Sequence, residues 1–344
     1  MGVKLSDIVP REAVEEIELK DLRGRVIAID CFNMLYQFIT IIRGPDGRPL
    51  SDRRGRVTSH LNGLFFRTLN YLAEGMLPVY VFDGRPPELK RRTVERRTAV
   101  RAEAMEEYKR ALETGDLEAM RKYSVRAASL EEYMVEGSIR LLEVMGVPYV
   151  LAPSEGEAQT AHMTRKGDAW ASASQDYDSL LFGSPRLVKN LSIVGRRKLP
   201  GRREYVEVVP EVIHLERILN KLSIRREDLI EMSILIGNDY CDGVKGIGPK
   251  RAYALIREHG RVENVLHALG IELECDLEAV REAFTSPNVT ENYKLGWRDV
   301  DEEGVVDLLC EEHDFSEDRV RKALEEYAAR IRSSRQERRL DEWF

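Results

Sequence analysis

Residues 26–30 read VIAID and residues 79–83 read VYVFD, each a short apolar run closed by an aspartate. Such a run, rich in β-branched and aromatic residues, suits a buried strand and is too short for a helix. Two more runs occur at 147–151 (VPYVL) and 169–173 (AWASA), and between the four lie segments of helical composition, 58–74, 93–113 and 130–145. Strands alternating with helices predict right-handed crossovers and an α/β fold, a mostly parallel sheet flanked by helices. After the third run, SEGEAQTAHMTRKG places Ser154 at an N-cap with Glu157 three residues on, the spacing of a capping box. Beyond Pro210 the chain reads as helical with glycine-rich turns, and no 20–50-residue repeat interrupts it.

The acids fall where such a sheet would gather them. Asp30 closes the first run and Asp83 the second; Glu155 and Glu157 follow the third, and Asp176 and Asp178 the fourth. In open parallel sheets ligands bind outside the carboxyl ends of the strands, so these side chains converge on one edge. A single acid at a strand end is commonly a helix cap or turn residue. Four successive strand ends supplying acids form a pattern that capping does not require. Crowded carboxylates raise one another's pKa and cannot all ionise unless cations neutralise them. Oxygen donors without His or Cys select hard cations, Mg²⁺ or Mn²⁺, over zinc. Acids enough for two ions point to phosphodiester hydrolysis, with the ions ~3.5–4 Å apart.

The formal net charge is −7, but the basic residues are concentrated. LKRRTVERRTAVR (89–101) carries six basic residues against one acid, and GRRKLPGRR (195–203) carries five and none. Such segments hold phosphates while the acids hold cations, although solvated surface charge accounts for many runs of this kind. In GVKGIGPKRA (243–252), Gly246 and Gly248 allow a tight inter-helix turn whose N–H groups meet a phosphate, with Lys245, Lys250 and Arg251 beside it. Asp239, just before this turn, would link that grip to the acids. The chain is 43% apolar and 33% charged, the balance of a globular protein. No stretch reaches the roughly 20 apolar residues of a membrane helix, and the N-terminus has no secretory h-region. Cys31, Cys241, Cys275 and Cys310 form no CxxC pair. Their scatter predicts neither a disulfide framework nor a zinc site, as in a reducing cytoplasm.

VIAIDCFNMLYQF, VYVFDGRPPELK, APSEGEAQ, SQDYDSLLFG and GNDYCDGVKGIGPKRA follow in an order and spacing that resembles the flap endonucleases across nearly the whole chain. The resemblance implies a PIN-like nuclease core, a helical arch and a helix–two-turn–helix duplex clamp. The implied activity is a structure-specific 5′ flap endonuclease with 5′–3′ exonuclease activity, working in Okazaki fragment maturation and DNA repair. Two Mg²⁺ ions are implied, with Mn²⁺ able to substitute. Asp30, Asp83 and Glu155 would hold one, with Glu157 between, and Asp176 and Asp178 the other, with Asp239 near. Lys90 and Arg97 would reach the scissile phosphate, Arg91 and Arg92 would touch DNA, and Tyr36 would stack on a terminal base. Gly2 matches a glycine near the active site, and residues 58–66 would help form a wedge and 3′-flap pocket.

The implied layout is an N-terminal nuclease region with the start of the arch (1–105), the rest of the arch (106–135), an internal nuclease region (136–225) and a helix–two-turn–helix with C-terminal helices (226–330), all in one catalytic domain. A tail (331–344) resembles a sliding-clamp-binding peptide through Leu340, Trp343 and Phe344, with Glu337 where that peptide carries Gln. The implied protein is an archaeal-type, monomeric, cytoplasmic enzyme with no membrane attachment. Two other readings stay open: a related 5′ exonuclease or junction resolvase, and a non-catalytic DNA-end or clamp adaptor.

Overall fold

The computed structural model of the protein describes residues 2–44, 46–192, 195–198 and 205–341. The four apolar runs become strands: β2 (Val26–Asp30), β3 (Leu77–Phe82), β4 (Tyr149–Leu151) and β5 (Ala171–Ala173), preceded by β1 (Val14–Glu16) and followed by β6 (Arg186–Lys189), β7 (Gly195–Lys198), β8 (Tyr205–Val208) and β9 (Glu211–His214). One sheet has the order β1-β9-β6-β5-β2-β3-β4, and β7 pairs only with β8. The pairs linking β6, β5, β2, β3 and β4 are parallel, whereas β9 is antiparallel to both β6 and β1. The expected parallel core is there, with an antiparallel margin.

That margin corrects the reading of the region beyond Pro210 as wholly helical. Glu211–His214 is only four residues long, and its burial (adjacent Val212 and Ile213 buried, both ends half-exposed) shows no two-residue period that would mark a strand. Sheet pairing on two sides decides its conformation.

The helices are α1 (Cys31–Ile41), α2 (Ser59–Ala73), α3 (Arg91–Thr114), α4 (Leu117–Ala127), α5 (Glu132–Val144), α6 (Gly156–Lys166), α7 (Asp178–Leu181), α8 (Leu215–Leu222), α9 (Arg226–Ile236), α10 (Pro249–His259), α11 (Val262–Leu269), α12 (Leu277–Thr285), α13 (Glu302–Val306) and α14 (Glu317–Asp341). One core joins Ile27 and Ile29 of β2 to Leu35, Phe65 and Leu141 of α1, α2 and α5, all fully buried. Each such side chain contributes roughly 1.5–3 kcal/mol of transfer free energy. A second core joins Leu187 and Ile213 to Leu229, Met232 and Ile256 of α9 and α10. The sheet thus carries the acids on one edge, with α9–α12 attached beside them.

Two expectations are revised. Glu155, not Ser154, is the N-cap of α6, and it makes no side-chain cap bond; the Ser154 carbonyl instead accepts the N–H of Gly84. Glu157 is thereby released for the site. Cys241 and Cys275 form a disulfide, with Cα atoms 5.7 Å apart. The packing of α9 through α12 brings these distant residues together, which local spacing cannot reveal, and the cysteines no longer argue for a reducing compartment. α3 runs unbroken from Arg91 to Thr114, with no Gly or Pro inside it, and ends at Gly115 in the left-handed conformation (φ 70°). Among the described residues no helix is long and apolar enough to cross a membrane.

Candidate active site

The strand order reverses between β5 and β2, and the crevice outside the carboxyl ends at that point is where such sheets bind ligands. Asp30 leaves β2 as the N-cap of α1 and accepts the Asn33 N–H at 3.0 Å. Asp83 follows β3 and accepts the Gly156 N–H at 2.7 Å; any side chain at Gly156 would meet that carboxylate, since a Cβ there lies 2.6 Å from it. Glu155 and Glu157 straddle the start of α6. Asp178 opens α7 and accepts the Val3 N–H at 2.7 Å. The Ser174 hydroxyl lies 3.2 Å from Asp30 and 3.4 Å from Glu157, joining two acids from different strand ends. Asp239 comes from the loop after α9 and is buried, as are Asp30, Glu155 and Asp178.

Burial and mutual repulsion shift these acids upward. Burial, then Asp83 and Asp176, push Asp30 up to about 8. Burial, with Asp239 and Asp176 beside it, pushes Asp178 up to about 7. Glu157 is raised well above the ordinary range by burial, Asp178, Asp30 and Asp176. Asp83 and Glu155 rise for the same first reason, and Glu155 stays raised even against the Lys90 ammonium. Asp239 alone is lowered: Lys90 and Arg97 outweigh its burial. The site therefore has more negative charge than its own cations neutralise.

Those cations come from the basic run. Lys90 bonds Glu155 and lies 2.7 Å from Asp239, and Arg97, two turns along α3, lies 2.6 Å from the other Asp239 oxygen. Burial works against the Lys90 charge, but Glu155 and Asp239 more than restore it and its pKa is raised. The donor set, carboxylate oxygens alone, fits hard divalent ions. Among the described residues, however, no three ligand side chains close on one point as the ligands of a single ion would. Lys90 lies between Glu155 and Asp239 and supplies positive charge to both.

An XPG N-terminal domain matches residues 1–104 and an XPG I-region matches residues 146–239. A flap endonuclease 1 of Aeropyrum pernix is 55% identical, over 100% of both chains. The chain belongs to the flap endonuclease family. A flap endonuclease 1 of Pyrococcus furiosus is 52% identical over 100% of this chain and 99% of its own. Among solved structures, the flap endonuclease-1 of Methanococcus jannaschii is 41% identical, covers 97% of this chain and 100% of its own, and superposes with a TM-score of 0.74.

The remaining residues of this flap endonuclease are placed as follows. A Cβ on Gly2 would lie 2.6 Å from Asp178 and 2.7 Å from Asp176, so only glycine passes there. Tyr36 lies under the helix pair α3/α4: its hydroxyl donates to the Ala128 carbonyl at 2.9 Å, and Arg101 lies 5.4 Å over its ring. Arg91 pairs with Glu88 and Glu95, and Arg92 with Glu274, all at the surface. Ile247 is buried between exposed Gly246 and Gly248, with exposed Lys245, Lys250 and Arg251 beside them in the chain. Gly246 has φ +84°, a conformation that favours glycine. Of residues 58–66 only Asn62 and Phe66 are not buried, which leaves this stretch mainly a core element. Trp343, Phe344 and the Leu340 side chain lie outside the described residues.

Three contributors carry no signal in the sequence. The Tyr240 hydroxyl bonds Glu155, Ser174 ties two strand ends, and Asn33 touches Asp176. Each sits inside one of the family motifs, but a neutral side chain beside acids does not stand out until the fold shows its direction.

Proposed function

We infer that the protein is a two-metal, Mg²⁺-dependent 5′ flap endonuclease with accompanying 5′–3′ exonuclease activity, acting on branched DNA in replication and repair. The observation that carries this is the meeting of seven acids from four strand ends and a loop, four of them buried (Asp30, Glu155, Asp178 and Asp239), with two cations from the start of one long helix. Asp30, Asp83, Glu155 and Glu157 would hold one ion, and Asp176, Asp178 and Asp239 the other. The bound ions would supply Lewis-acid stabilisation of charge on the phosphate oxygens and lower the pKa of water. Lys90 and Arg97, once displaced from Glu155 and Asp239, would face the same phosphate, where positive charge favours the transition state. Tyr36 would stack a base beneath the arch of α3 and α4. Gly2 would leave room for the strand beside Asp176 and Asp178. Arg91 and Arg92 would meet phosphates outside the arch, while Lys245, Gly246, Gly248, Lys250 and Arg251 would grip the duplex.

The layout of nuclease regions, arch, duplex clamp and tail described above accompanies this reading. A monomer working in the cytoplasm, with Leu340, Trp343 and Phe344 docking a sliding clamp, completes it. A non-catalytic DNA binder is disfavoured because concentrated negative charge beside DNA weakens binding. The test is to incubate the protein with end-labelled double-flap, bubble and four-way-junction DNA, with Mg²⁺ or EDTA. Preferred cutting of the flap near its junction, lost in EDTA, is expected; preferred cutting of the four-way junction would favour a resolvase, and no cutting an adaptor.

A further inference from the structure

At the crevice between β2 and β5 one residue touches acids from both strands. The Asn33 N–H caps Asp30 at 3.0 Å, and its side-chain Nδ2 donates to Asp176 Oδ2 at 3.1 Å. The amide is oriented from behind. Its Oδ1 accepts from Gln37 Nε2 at 2.6 Å and from the Gln175 N–H at 3.3 Å. Gln37 in turn accepts from the Ser192 hydroxyl at 2.5 Å. Turning the Asn33 amide over would set its oxygen against the Asp176 carboxylate and its NH₂ against two other donors, so the network admits one orientation. The series Ser192, Gln37, Asn33, Asp176 thus runs donor to acceptor and ends on a carboxylate.

Asp176 depends on this bond more than its neighbours depend on theirs. Asp30, Asp83 and Asp178 are each held by a backbone N–H. Among the described residues the Asp176 carboxylate has one hydrogen bond, the one from Asn33. Asp176 also sits on the turn after β5 rather than in a helix or strand, so its backbone leaves the carboxylate less constrained.

We propose that Asn33 is a positioning residue of the metal centre, holding Asp176 at a set spacing from Asp30 so that the two ions bind in register. This rests on the two-ion reading above. Outer hydrogen bonds of this kind fix ligand orientation before the metal arrives, and their removal typically weakens metal affinity ~10–100-fold. Because the cap on Asp30 is a backbone N–H, Asn33→Ala keeps it; of the two acids Asn33 touches, only Asp176 loses a bond, together with the Gln37 and Gln175 bonds behind the amide. The effect is therefore one-sided.

The experiment is a calorimetric titration of Mn²⁺ into the metal-free full-length protein without DNA, so no activity is read. Wild type is expected to bind two ions. Asn33→Ala should weaken one step by ~10–100-fold and leave the other within about twofold, with thermal unfolding still cooperative. Gln37→Met, which keeps Asn33 but leaves its amide oxygen only the Gln175 N–H, should weaken the same step by a smaller factor. Two unaltered steps in Asn33→Ala overturn the proposal, as do two steps weakened equally, the result of a merely structural role. If Asn33→Ala does not fold, Gln37→Met decides: wild-type binding in it overturns the proposal. Fewer than two ions in wild type would refute the two-ion reading itself, and the role of Asn33 with it.

Discussion

Asp30 and His60 are both buried, and burial drives their protonation in ways that give opposite pH dependences. Asp30 is pushed up to about 8 and Asp178 to about 7 by burial and neighbouring acids, against an ordinary aspartate value near ~3.9. The folded state thus binds these protons more tightly than the unfolded chain, and metal-free protein loses stability as pH rises from about 4 to 8. His60 is lowered to about 3 by burial and the nearby His313, and neither ring nitrogen has a hydrogen-bond partner among the described residues. The unfolded chain takes up that proton first, so this stability is present above pH ~6.5 and is lost as pH falls towards 3. In thermal unfolding with EDTA the acids' contribution should therefore fall as pH rises from about 4 to 8, and the His60 contribution should fall as pH drops below ~6.5. Saturating Mg²⁺ should remove the alkaline decline and leave the acid one, because cations replace the protons the acids otherwise need. An alkaline decline unchanged by Mg²⁺ and Mn²⁺ would show that these acids do not hold cations.

At the scale of elements, α3 joins the arch to the chemistry. Helical spacing puts Lys90 and Arg97 on one face, against Glu155 and Asp239, and leaves Arg91 and Arg92 to exposed pairs that contribute little to stability. Replacing Lys90 or Arg97 by Ala should slow single-turnover flap cleavage by ~10²-fold or more. Replacing Arg91 or Arg92 should chiefly weaken DNA binding and flatten its salt dependence, the slope falling by about one for each phosphate no longer neutralised. Equal, purely binding defects in all four variants would remove this helix from the chemistry. α3 is legible because its composition is helical throughout: the sequence predicts 93–113, and the helix spans Arg91–Thr114. β9 is not, since a four-residue strand is stabilised by neighbours distant in sequence. The capping box at Ser154 fails for a related reason: its residues are present, but Glu155 and Glu157 are turned to the site.

For the whole molecule, the acids can be read because a parallel sheet sends every strand end to one edge, so a one-dimensional pattern becomes a place. What cannot be read depends on direction or on residues distant in sequence: the lysine standing among the acids, the Tyr240 hydroxyl on Glu155, the Asn33 amide, and the Cys241–Cys275 bond. At the other end of the chain, α14 continues to Asp341, and its last residues include Leu340, one of the three residues proposed to dock a clamp. Deleting residues 337–344 should leave flap cleavage by the isolated protein unchanged and abolish stimulation by the cognate clamp. Full stimulation of the truncated protein, or its unfolding, would refute a separate docking role, since an apolar triad that binds outside the core is dispensable to the fold. The claim on which all of this depends is that the strand-end acids serve catalysis rather than folding. Its most direct measurement is single-turnover cleavage of a 5′-flap DNA by Asp176→Ala at saturating Mg²⁺, paired with its affinity for the same DNA. Cleavage should fall to background with binding within a few fold of wild type; cleavage at the wild-type rate would contradict it.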